Sequence, residues 1–377
     1  MTNEKRARVA IIIPGGIGTG SNNIGVPVLV QLVSLLAKEF EITVFSLFKV
    51  NVGYTSADFE IVDVSGAGPV SKIRKLVSAF RKMHAHRPFL LVHGFWAIPS
   101  GLLAVMLGKI FNIKSIVSVL GGDAISLPAI NYGQLQKGYK RWLVMWTLRN
   151  ANEVLALTNF LYNNLRIAGL VRKNVHIIPW GIDVEMFPFN LRQFSDTINF
   201  LHIGNLEPVK DQSTLLRAFK LISDTIPAHL TIVGEGRLAD SLKRQARDLN
   251  IEQEIRFVDP IPYTQLPAYY QRADILLHTS LSEGQSEVVT EAMSSGVVVC
   301  GTIVGLIHDL PDCCIQVPVG DYEMLAQQVI KLLHDPDRIN AIRANAQQWS
   351  SVHSIFWTTT MHTLVYRGLE PFMMNAD

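Results

Sequence analysis

Two glutamates in one short stretch, Glu283 and Glu291, have the spacing and surroundings of groups that bind or act on a polar substrate. They lie between two apolar runs, Ile275–His278 and Val297–Cys300. Apolar runs of this length predict buried strands, and the segment between them predicts a turn and then a helix that begins near Ser286. This order is typical of a parallel sheet, in which ligands bind beyond the carboxyl ends of the strands. The turn that carries Glu283 therefore lies where a ligand would bind, and its backbone N–H groups can donate to an anion.

The carboxylates of this stretch have different expected surroundings. The apolar face of the predicted helix consists of Val288, Val289, Ala292 and Met293. Glu291 lies on the flank of that face, where a carboxylate is partly desolvated and needs a partner. Glu287 lies nearly opposite the face, so a solvated charge is the favoured interpretation of this residue. Because Glu287 and Glu291 are one helical turn apart, their repulsion costs an isolated helix about 0.2–0.5 kcal/mol.

The string SEGQSEVVTEAMSSG, from Ser282 to Gly296, resembles the signature of retaining glycosyltransferases of family 4, the group 1 glycosyl transferases. The resemblance implies the GT-B fold, an α/β fold of two doubly wound parallel-sheet, Rossmann-like domains that face a central cleft. It also implies a glycosyltransferase of the hexosyltransferase type that acts in polysaccharide biosynthesis. Such an enzyme moves a sugar from a nucleotide-diphosphate sugar to a hydroxyl of a saccharide or glycolipid acceptor, with retention at the anomeric carbon.

Length and composition agree with two domains. The chain has 377 residues, of which 48% are hydrophobic and 18% are charged, and this composition supports large buried cores. The segment 181–187 resembles the interdomain connection of the family, and Pro188 with the polar run Asn190–Thr197 supports a boundary there. We therefore predict an acceptor-side Rossmann-like domain at 1–185 and a nucleotide-sugar-binding Rossmann-like domain at 186–350. By the resemblance, a helix at 351–377 crosses back to the first domain.

The resemblance assigns roles to the ionic residues of the second half. Glu291 would hold the ribose hydroxyls of the donor, because a carboxylate can accept two hydrogen bonds from a vicinal diol. Glu283 would hold hydroxyls of the transferred sugar or support its oxocarbenium-like charge. Lys210 and the beginning of the helix would stabilise the charge that grows on the departing diphosphate. The predicted catalytic residues are Glu283 and Lys210, together with Asp123 of the first half of the chain.

Further donor contacts are expected from loops that follow predicted strands. Family members usually place an arginine and a lysine on the donor diphosphate after the strand Ile198–Ile203. Lys210 matches the lysine, but Asn205 stands at the position of the arginine, and an uncharged amide makes a weaker diphosphate clamp. The remaining predicted donor contacts are Gly16, Gly234, Asp259, Gly284, Gln285, Ser286 and Glu287. For Gly16 and Gly234, an ordinary turn without a ligand is the alternative.

Two loops of the first half follow the predicted strands Phe89–Val92 and Ser115–Leu120. The second loop commonly reads His-Gly-x-Asp in the family, and here Leu120 replaces the histidine while Asp123 remains. We predict that Gly122 and His93 lie on the acceptor or sugar side of the site. A structural histidine under a loop is the alternative for His93.

Composition also excludes several classes. A formal net charge of +2 gives no case for a nucleic-acid partner. Cys300, Cys313 and Cys314 cannot form a disulfide framework, so reduced thiols in a cytoplasmic protein are expected. The apolar window Gly101–Leu120 is interrupted by polar residues, which argues against a transmembrane helix. We expect no bound cofactor and no metal, because residues with metal-ligand spacing do not cluster.

Two predicted helices, Ser71–Arg87 and Leu135–Arg149, are rich in lysine and arginine. A solvated face is the more common explanation of such a pattern, and an anionic membrane surface is the alternative. The expected partners are a nucleotide-sugar donor and a saccharide or lipid-linked acceptor. Peripheral contact with the inner face of a membrane follows only from the second interpretation of the basic helices.

Two other classes share the expected fold. A nucleotide-sugar 2-epimerase would consume the donor without an acceptor. A non-catalytic nucleotide-sugar-binding protein would bind a nucleoside diphosphate without turnover. The presence of Glu283, Lys210 and Glu291 together argues against the binding protein, whereas Leu120 and Asn205 leave it open.

Overall fold

The computed structural model describes residues 6–19, 26–191 and 193–368. The chain divides into two compact units. Unit 1 contains the chain up to Trp180 and again from Ile355, and unit 2 contains Gly181–Ser354. The predicted boundaries stood after residue 185 and after residue 350, so each differs from the observed division by a few residues.

Unit 1 is built on one parallel sheet of seven strands. The strands are β1 (Arg8–Ile13), β2 (Glu41–Ser46), β3 (Glu60–Asp63), β4 (Leu91–Phe95), β5 (Lys114–Val119), β6 (Glu153–Ala156) and β7 (Val175–Ile177). Their spatial order is β3-β2-β1-β4-β5-β6-β7. Because a parallel sheet of this kind has helices on both faces, its central strands are mostly buried, and all six residues of β1, Arg8 included, are buried.

The alternation of side chains along β1 assigns each face of this sheet its own core. Val9, Ile11 and Ile13 pack in one cluster, and Ala10 and Ile12 pack in the other. The covering helices are α1 (Pro27–Glu39), α2 (Pro69–His86), α3 (Leu102–Phe111), α4 (Gly138–Asn150), α5 (Asn159–Ile167) and α13 (Ile355–Arg367). Proline at the first turn suits the beginnings of α1 and α2, since the first N–H groups of a helix have no intrahelical partner.

The C-terminal helix α13 packs on α1 within unit 1. The ring of Tyr366 meets the edge of Phe40, with 5.4 Å between centroids. The Oγ1 atom of Thr358 donates to the carbonyl oxygen of Pro179 at 2.9 Å. These contacts make α13 a part of the first unit, although its sequence follows the second.

Unit 2 has a parallel sheet of six strands in the order β10-β9-β8-β11-β12-β13. The strands are β8 (Ile198–Ile203), β9 (Ala228–Val233), β10 (Ile255–Val258), β11 (Ile275–His278), β12 (Val298–Thr302) and β13 (Cys314–Val317). The helices are α6 (Gln212–Ser223), α7 (Ala239–Asp248), α8 (Leu266–Tyr270), α9 (Glu287–Ser294), α10 (Gly305–Asp309), α11 (Tyr322–Leu333) and α12 (Pro336–Val352).

The strand order of unit 2 reverses between β8 and β11. From β8 the chain adds β9 and β10 on one side, and it then crosses to add β11, β12 and β13 on the other. Helices on opposite faces leave a crevice at such a switch point, beyond the carboxyl ends of the two strands. The loop after β8 and the turn after β11 therefore define the place to look for a site.

Candidate functional site

An ion pair joins the two loops at the switch point of unit 2. Lys210 ends a short 3₁₀ turn after β8, and Glu283 lies in the turn between β11 and α9. The Nζ atom of Lys210 lies 2.6 Å from the Oε1 atom of Glu283, and the two side chains are 21% and 13% exposed. The structure thus brings together two residues that the sequence predicted to be catalytic and that are 73 positions apart.

Glu283 is held in its ionised form. Burial alone would raise its pKa, but the Lys210 ammonium, together with the hydrogen bonds from Lys210 and Ser280, outweighs burial and keeps the pKa below its usual value. The Ser280 hydroxyl donates to the same carboxylate oxygen at 2.6 Å, and the Nε2 atom of His278 lies 3.5 Å from it. Burial lowers the pKa of His278 to about 4, so its ring is neutral at physiological pH.

Other contacts fix the two loops to each other. The Thr279 hydroxyl donates to the carbonyl oxygens of Lys210 and Asp211 at 3.1 and 3.0 Å. The N–H of Leu281 donates to the carbonyl oxygen of Val209 at 2.7 Å. The sequence analysis did not single out Thr279, Ser280 or His278. The only sequence signal for them is a run of polar residues at the end of a buried strand.

The turn before α9 depends on close backbone contact with the beginning of α10. Gly305 has a φ of +54°, and a Cβ atom there would lie 2.8 Å from both the carbonyl oxygen of Gln285 and the Cβ atom of Glu283. The N–H of Leu306 donates to the same Gln285 carbonyl at 3.1 Å. Ser286, at the N-cap of α9, also has a positive φ of 78°, which is strained for a residue with a side chain. Gly305 therefore helps to shape the turn that carries Glu283.

Gln285, a predicted donor contact, has a side-chain partner within unit 2, and its contact with a donor stays a prediction. Its side chain is buried, and its amide donates to the Thr290 hydroxyl at 3.1 Å. The side chain therefore faces the interior of unit 2. Gly284 is buried in the same turn, and the Oγ atom of Ser286 lies 2.7 Å from the Nε2 atom of His278. The donor contacts predicted for Gly284 and Ser286 stay predictions.

Glu291 occupies a buried position with a tyrosine partner. Its side chain is 2% exposed, and the Tyr270 hydroxyl donates to its Oε2 atom at 2.6 Å. Tyr263 makes a second hydrogen bond to this carboxylate. Burial raises the pKa of Glu291 to about 7 despite these donors. The flank position expected from the helical wheel is thus a fully buried one.

Glu287 is not the solvated charge that the helical wheel favoured. The residue is half-buried at the first position of α9. Burial raises its pKa to about 7, with the nearby Lys210 opposing the change and the nearby Glu283 adding to it. The wheel describes only α9, whereas the Lys210 that acts on Glu287 lies in the loop after β8. Glu283 and Glu287 thus share one lysine at this site.

The other predicted donor residues of unit 2 lie at the carboxyl ends of β8, β9 and β10. Asn205 is exposed just after β8, and its carbonyl oxygen accepts from the Gln212 amide at 2.9 Å. Gly234 has a φ of +146°, and a Cβ atom there would lie 2.1 Å from the carbonyl oxygen of Gly204. A glycine is therefore required for the two loops to approach, whatever ligand binds there. Asp259 is exposed after β10, at the edge of the sheet.

Gly16, the remaining predicted donor contact, lies in unit 1 in the loop after β1. Its φ is +98°, and its N–H donates to the Thr19 hydroxyl at 2.8 Å. The turn is therefore closed by its own side-chain hydrogen bond. Its role toward a ligand stays a prediction.

Asp123 organises the loop after β5. Its carboxylate accepts backbone N–H bonds from Ala97 at 2.9 Å, Gly121 at 2.9 Å and Leu120 at 3.2 Å. Burial raises the pKa of Asp123, and these donors offset part of the effect. This geometry accounts for an aspartate without any chemical step, so a catalytic role for Asp123 stays a prediction.

His93 lies inside β4 and not beyond its end, because the strand extends to Phe95 where the sequence predicted an end at Val92. The ring is fully buried. Its Nδ1 atom lies 2.7 Å from the Tyr366 hydroxyl, and its Nε2 atom lies 2.8 Å from the Ser118 hydroxyl. Burial, with a smaller effect of His362, holds its pKa well below the usual value. Both nitrogens are occupied, so the structural alternative accounts for His93, and this geometry gives no support to an acceptor-side role.

Gly122 borders a polar cavity of about 450 Å³ in unit 1, beyond the carboxyl ends of β4 and β5. The Trp96 and Tyr132 rings line this cavity, together with Gln134 and Lys137. Aromatic faces, amides and an ammonium are groups that bind hydroxylated ligands. The prediction that Gly122 lies beside the acceptor is compatible with this position.

Within the described ranges, no group of three or more histidine, cysteine, aspartate or glutamate side chains could hold a metal ion. The metal-free expectation overlooked one Asp-x-Asp triplet, Asp335-Pro336-Asp337. Asp335 caps α12, with its carboxylate accepting the N–H of Arg338 at 3.0 Å, and both aspartates are exposed. The triplet thus marks the beginning of a helix.

The fold and the candidate site define a two-domain α/β protein with a cluster of charged residues at a topological switch point. The sequence profile of the family described as "Glycosyl transferases group 1" matches residues 183–349, and that of the "Glycosyl transferase 4-like domain" matches residues 34–181. The chain belongs to this family of group 1 glycosyl transferases and has the GT-B fold.

Individual relatives are distant. N-acetyl-alpha-D-glucosaminyl L-malate synthase of Bacillus anthracis is 24% identical over 263 residues, which are 66% of each chain. The matched region therefore spans slightly less than two thirds of that relative. Sucrose-phosphate synthase from Thermosynechococcus elongatus has a similar structure, with a TM-score of 0.80, 20% identity and coverage of 96% of this chain and 99% of that one. HepE of Anabaena, in complex with UDP and glucose, has a TM-score of 0.75 and 16% identity, with coverage of 97% of this chain and 100% of that one. At these identities the two structures show the fold alone.

Proposed function

We propose that the protein is a retaining glycosyltransferase. It transfers a sugar from a nucleotide-diphosphate sugar to a hydroxyl of a saccharide or glycolipid acceptor, without a metal ion. The observation that carries the proposal is the Lys210–Glu283 ion pair, which stands at the switch point of unit 2 inside the family signature. Ligand binding beyond the carboxyl ends of strands is the rule for such sheets.

The geometry suits departure of a diphosphate. As the bond between the anomeric carbon and the diphosphate oxygen breaks, negative charge grows on the leaving group. Lys210 and the first N–H groups of α9 are the positive groups available at this place. The acceptor oxygen bonds to the anomeric carbon from the same face, and the acceptor proton passes to the departing phosphate oxygen. Ionised Glu283 accepts hydrogen bonds from the transferred sugar and favours its positive charge.

For the acceptor, the polar cavity of unit 1 is the best-suited place. Its aromatic and amide lining fits a hydroxylated molecule, and Lys137 adds a positive charge for an acidic group. The name of the Bacillus relative pairs an amino sugar with malate, a hydroxy acid, and an acceptor with both a hydroxyl and a negative charge would suit this cavity as well.

A cytoplasmic location with peripheral contact at the inner face of a membrane extends the proposal. The exposed side of α2 carries Arg74, Lys75, Arg81 and Lys82. No helix in the described part of the chain is long and apolar enough to cross a membrane. Each basic residue near an anionic surface contributes about 1 kcal/mol. Flotation with anionic vesicles should recover the protein, and equal recovery with neutral vesicles would count against electrostatic docking.

The test of the proposal separates the two predicted roles of the glutamates. Glu291→Gln should weaken the binding of a nucleoside diphosphate measured by calorimetric titration, because the ribose contact is lost. Glu283→Gln should leave that binding nearly intact and reduce turnover of a nucleotide sugar. Glu252→Gln, an exposed position of unit 2, is the matched control and should change neither.

The same experiment distinguishes the alternatives. Donor consumption without any acceptor would indicate a nucleotide-sugar 2-epimerase. Diphosphate binding with no turnover of any donor would indicate a non-catalytic binding protein. If Glu283→Gln abolished diphosphate binding and Glu291→Gln did not, the assignment of the two glutamates would be reversed.

A further inference from the structure

A second cavity of unit 1 is apolar and belongs to none of the places described so far. Its volume is about 370 Å³, and it lies beyond the carboxyl ends of β2, β3 and β4. Phe48, Pro69, Ile73, Pro99 and Leu103 line it, and Lys72 is the one charged residue among those that border it. Ligand sites are usually concave, mostly apolar and about 300–1,000 Å³ in volume, so this cavity has the dimensions of a binding site.

The residues around the mouth of this cavity remain apolar even where they face solvent. The lining residues Phe48 and Ile73 are 55% and 41% exposed. Exposed apolar side chains that adjoin an apolar cavity favour an apolar ligand, since water finds few hydrogen-bond partners in such a cavity.

Charge at the mouth has one sign. Lys72 places its ammonium 4.9 Å from the centroid of the Phe48 ring, and no ion pair links it to a carboxylate in the described part of the chain. The helix α2, which begins at this mouth, contains Lys72, Arg74, Lys75, Arg81 and Lys82 and no acidic residue. A ligand with an apolar group in the cavity and a negative group at the mouth would match both features.

The apolar cavity and the polar cavity lie on either side of one short turn. Ile98 borders the polar cavity, and the next residue, Pro99, borders the apolar cavity. The one turn therefore contributes to the lining of both cavities. A free saccharide would leave the apolar cavity without a role.

We propose that the apolar cavity binds the hydrocarbon chain of an anionic amphiphile, whose charged head group lies at Lys72, and that this amphiphile is the acceptor. The inference rests on the proposed function, since it names the substrate class of the same reaction. The cavity itself is independent of the donor site, because all of its lining residues belong to unit 1.

Binding of decyl phosphate to the full chain, below its micelle concentration, tests the proposal. Decyl phosphate should bind with one-to-one stoichiometry, and inorganic phosphate and decanol should each bind more weakly by about tenfold or more. Ala67 is exposed and borders the cavity, so Ala67→Trp should block the chain and weaken decyl phosphate binding by a similar factor. Ala67→Ser is the matched control and should bind normally.

Lys72→Ala should reduce the affinity for decyl phosphate by about tenfold and leave that for decanol unchanged. Lys82→Ala removes a charge from the same helix but does not border the cavity, and it should have little effect. An equal loss of decyl phosphate affinity in Lys72→Ala and Lys82→Ala would indicate general attraction to a basic helix and would overturn the proposal. Equal binding in Ala67→Trp and Ala67→Ser would do the same.

Activity then decides whether the amphiphile is the acceptor. Decyl phosphate should inhibit transfer by competition with the acceptor, whereas the affinity for a nucleoside diphosphate should be the same in Ala67→Trp and in the unmodified protein. Decyl phosphate binding without any effect on transfer would overturn the assignment as acceptor. A failure of the proposed function would instead appear as loss of nucleoside diphosphate binding or turnover in the unmodified protein, which the cavity variants do not affect.

Discussion

Negative charge outnumbers positive charge among the residues of the candidate donor site. Lys210 acts on the carboxyls of Glu283 and Glu287, Glu291 lies near Glu287, and a diphosphate would add further negative charge. Only Glu283 is in direct contact with the ammonium. The properties of single residues at this site should therefore depend strongly on Lys210 and on pH.

Removal of that lysine should weaken binding of a nucleoside diphosphate. A charge-assisted contact contributes about 1.5–3 kcal/mol, which corresponds to about 10- to 150-fold in affinity for Lys210→Ala. Transfer should slow further, because charge grows as the leaving group departs.

Asn205 is exposed in the same loop, so Asn205→Arg should tighten diphosphate binding and partly rescue Lys210→Ala. Calorimetric titration of the single and double variants measures this, with the exposed Lys331→Ala as control.

An unchanged affinity in Lys210→Ala would identify Lys210 as a structural partner of Glu283 and would place the donor elsewhere. If Asn205→Arg alone had no effect, its side chain would point away from the phosphates.

Protonation of Glu287 should control diphosphate affinity. With a pKa of about 7, the Glu287 carboxyl is mostly neutral at pH 5.5 and mostly ionised at pH 8. Glu287→Gln should therefore bind a nucleoside diphosphate more tightly than the unmodified protein at pH 8, by about fivefold or roughly 1 kcal/mol. At pH 5.5 the two should bind equally. Titration of both proteins at the same pH values removes the effect of the ligand's own protonation. A constant affinity ratio across this range would show that Glu287 does not face the phosphates.

The same carboxyls affect stability in a defined direction. The folded-state pKa values of Glu287 and Glu291 lie above the usual value, so the folded protein binds more protons than the unfolded chain between about pH 4.5 and 7. Stability from these groups should therefore fall as pH rises through that window.

At the scale of elements, the sequence predicted the strands and loops of unit 2 better than the packing around them. The apolar run Ile275–His278 is observed as β11 with the same bounds. Near it, the resemblance correctly marked Lys210 and Glu283 as neighbours of one site. Neither Tyr270 nor Thr279 could be assigned, because their contacts depend on which strands and helices adjoin. The charged neighbours of Glu287 that are named above, Lys210 and Glu283, likewise lie outside its own helix.

The helix α13 should stabilise unit 1 through one buried hydrogen bond. Tyr366→Phe removes the hydroxyl 2.7 Å from the Nδ1 atom of His93 and leaves a fully buried ring nitrogen without this partner. Such a loss lowers the free energy of unfolding by about 1–3 kcal/mol. For a unit of this size, each kcal/mol lowers the melting temperature by about 2–4 °C. Scanning calorimetry measures it, with Tyr139→Phe, 64% exposed in the same unit, as control. Equal melting temperatures of Tyr366→Phe and the control would show that this hydrogen bond adds nothing to stability.

At the scale of the whole molecule, each unit has its own sheet and its own buried clusters. The length and the apolar composition predicted two such units. The resemblance predicted the return of the C-terminal helix to the first one. The exact boundary residues were not predicted, because the polar run Asn190–Thr197 that supported a boundary in the sequence lies after the observed division at Trp180. The strand order and the polar and apolar cavities of unit 1 follow from tertiary packing, which no local pattern of the sequence encodes.

The proposed metal independence is a property of the whole chain and rests on the groups available to neutralise a leaving diphosphate. The proposed site provides an ammonium and the beginning of a helix, and no cluster of metal-ligating side chains occurs among the residues that the structure describes. Turnover of a nucleotide sugar in excess chelator should therefore equal turnover with added magnesium or manganese.

The variant Lys210→Ala provides a second test, because a metal-independent enzyme should lose activity in this variant with or without added metal. A loss of more than about tenfold on chelation, roughly 1.4 kcal/mol, would show that a metal ion carries part of the charge. Rescue of Lys210→Ala by magnesium would show that a cation bound with the donor can replace the ammonium.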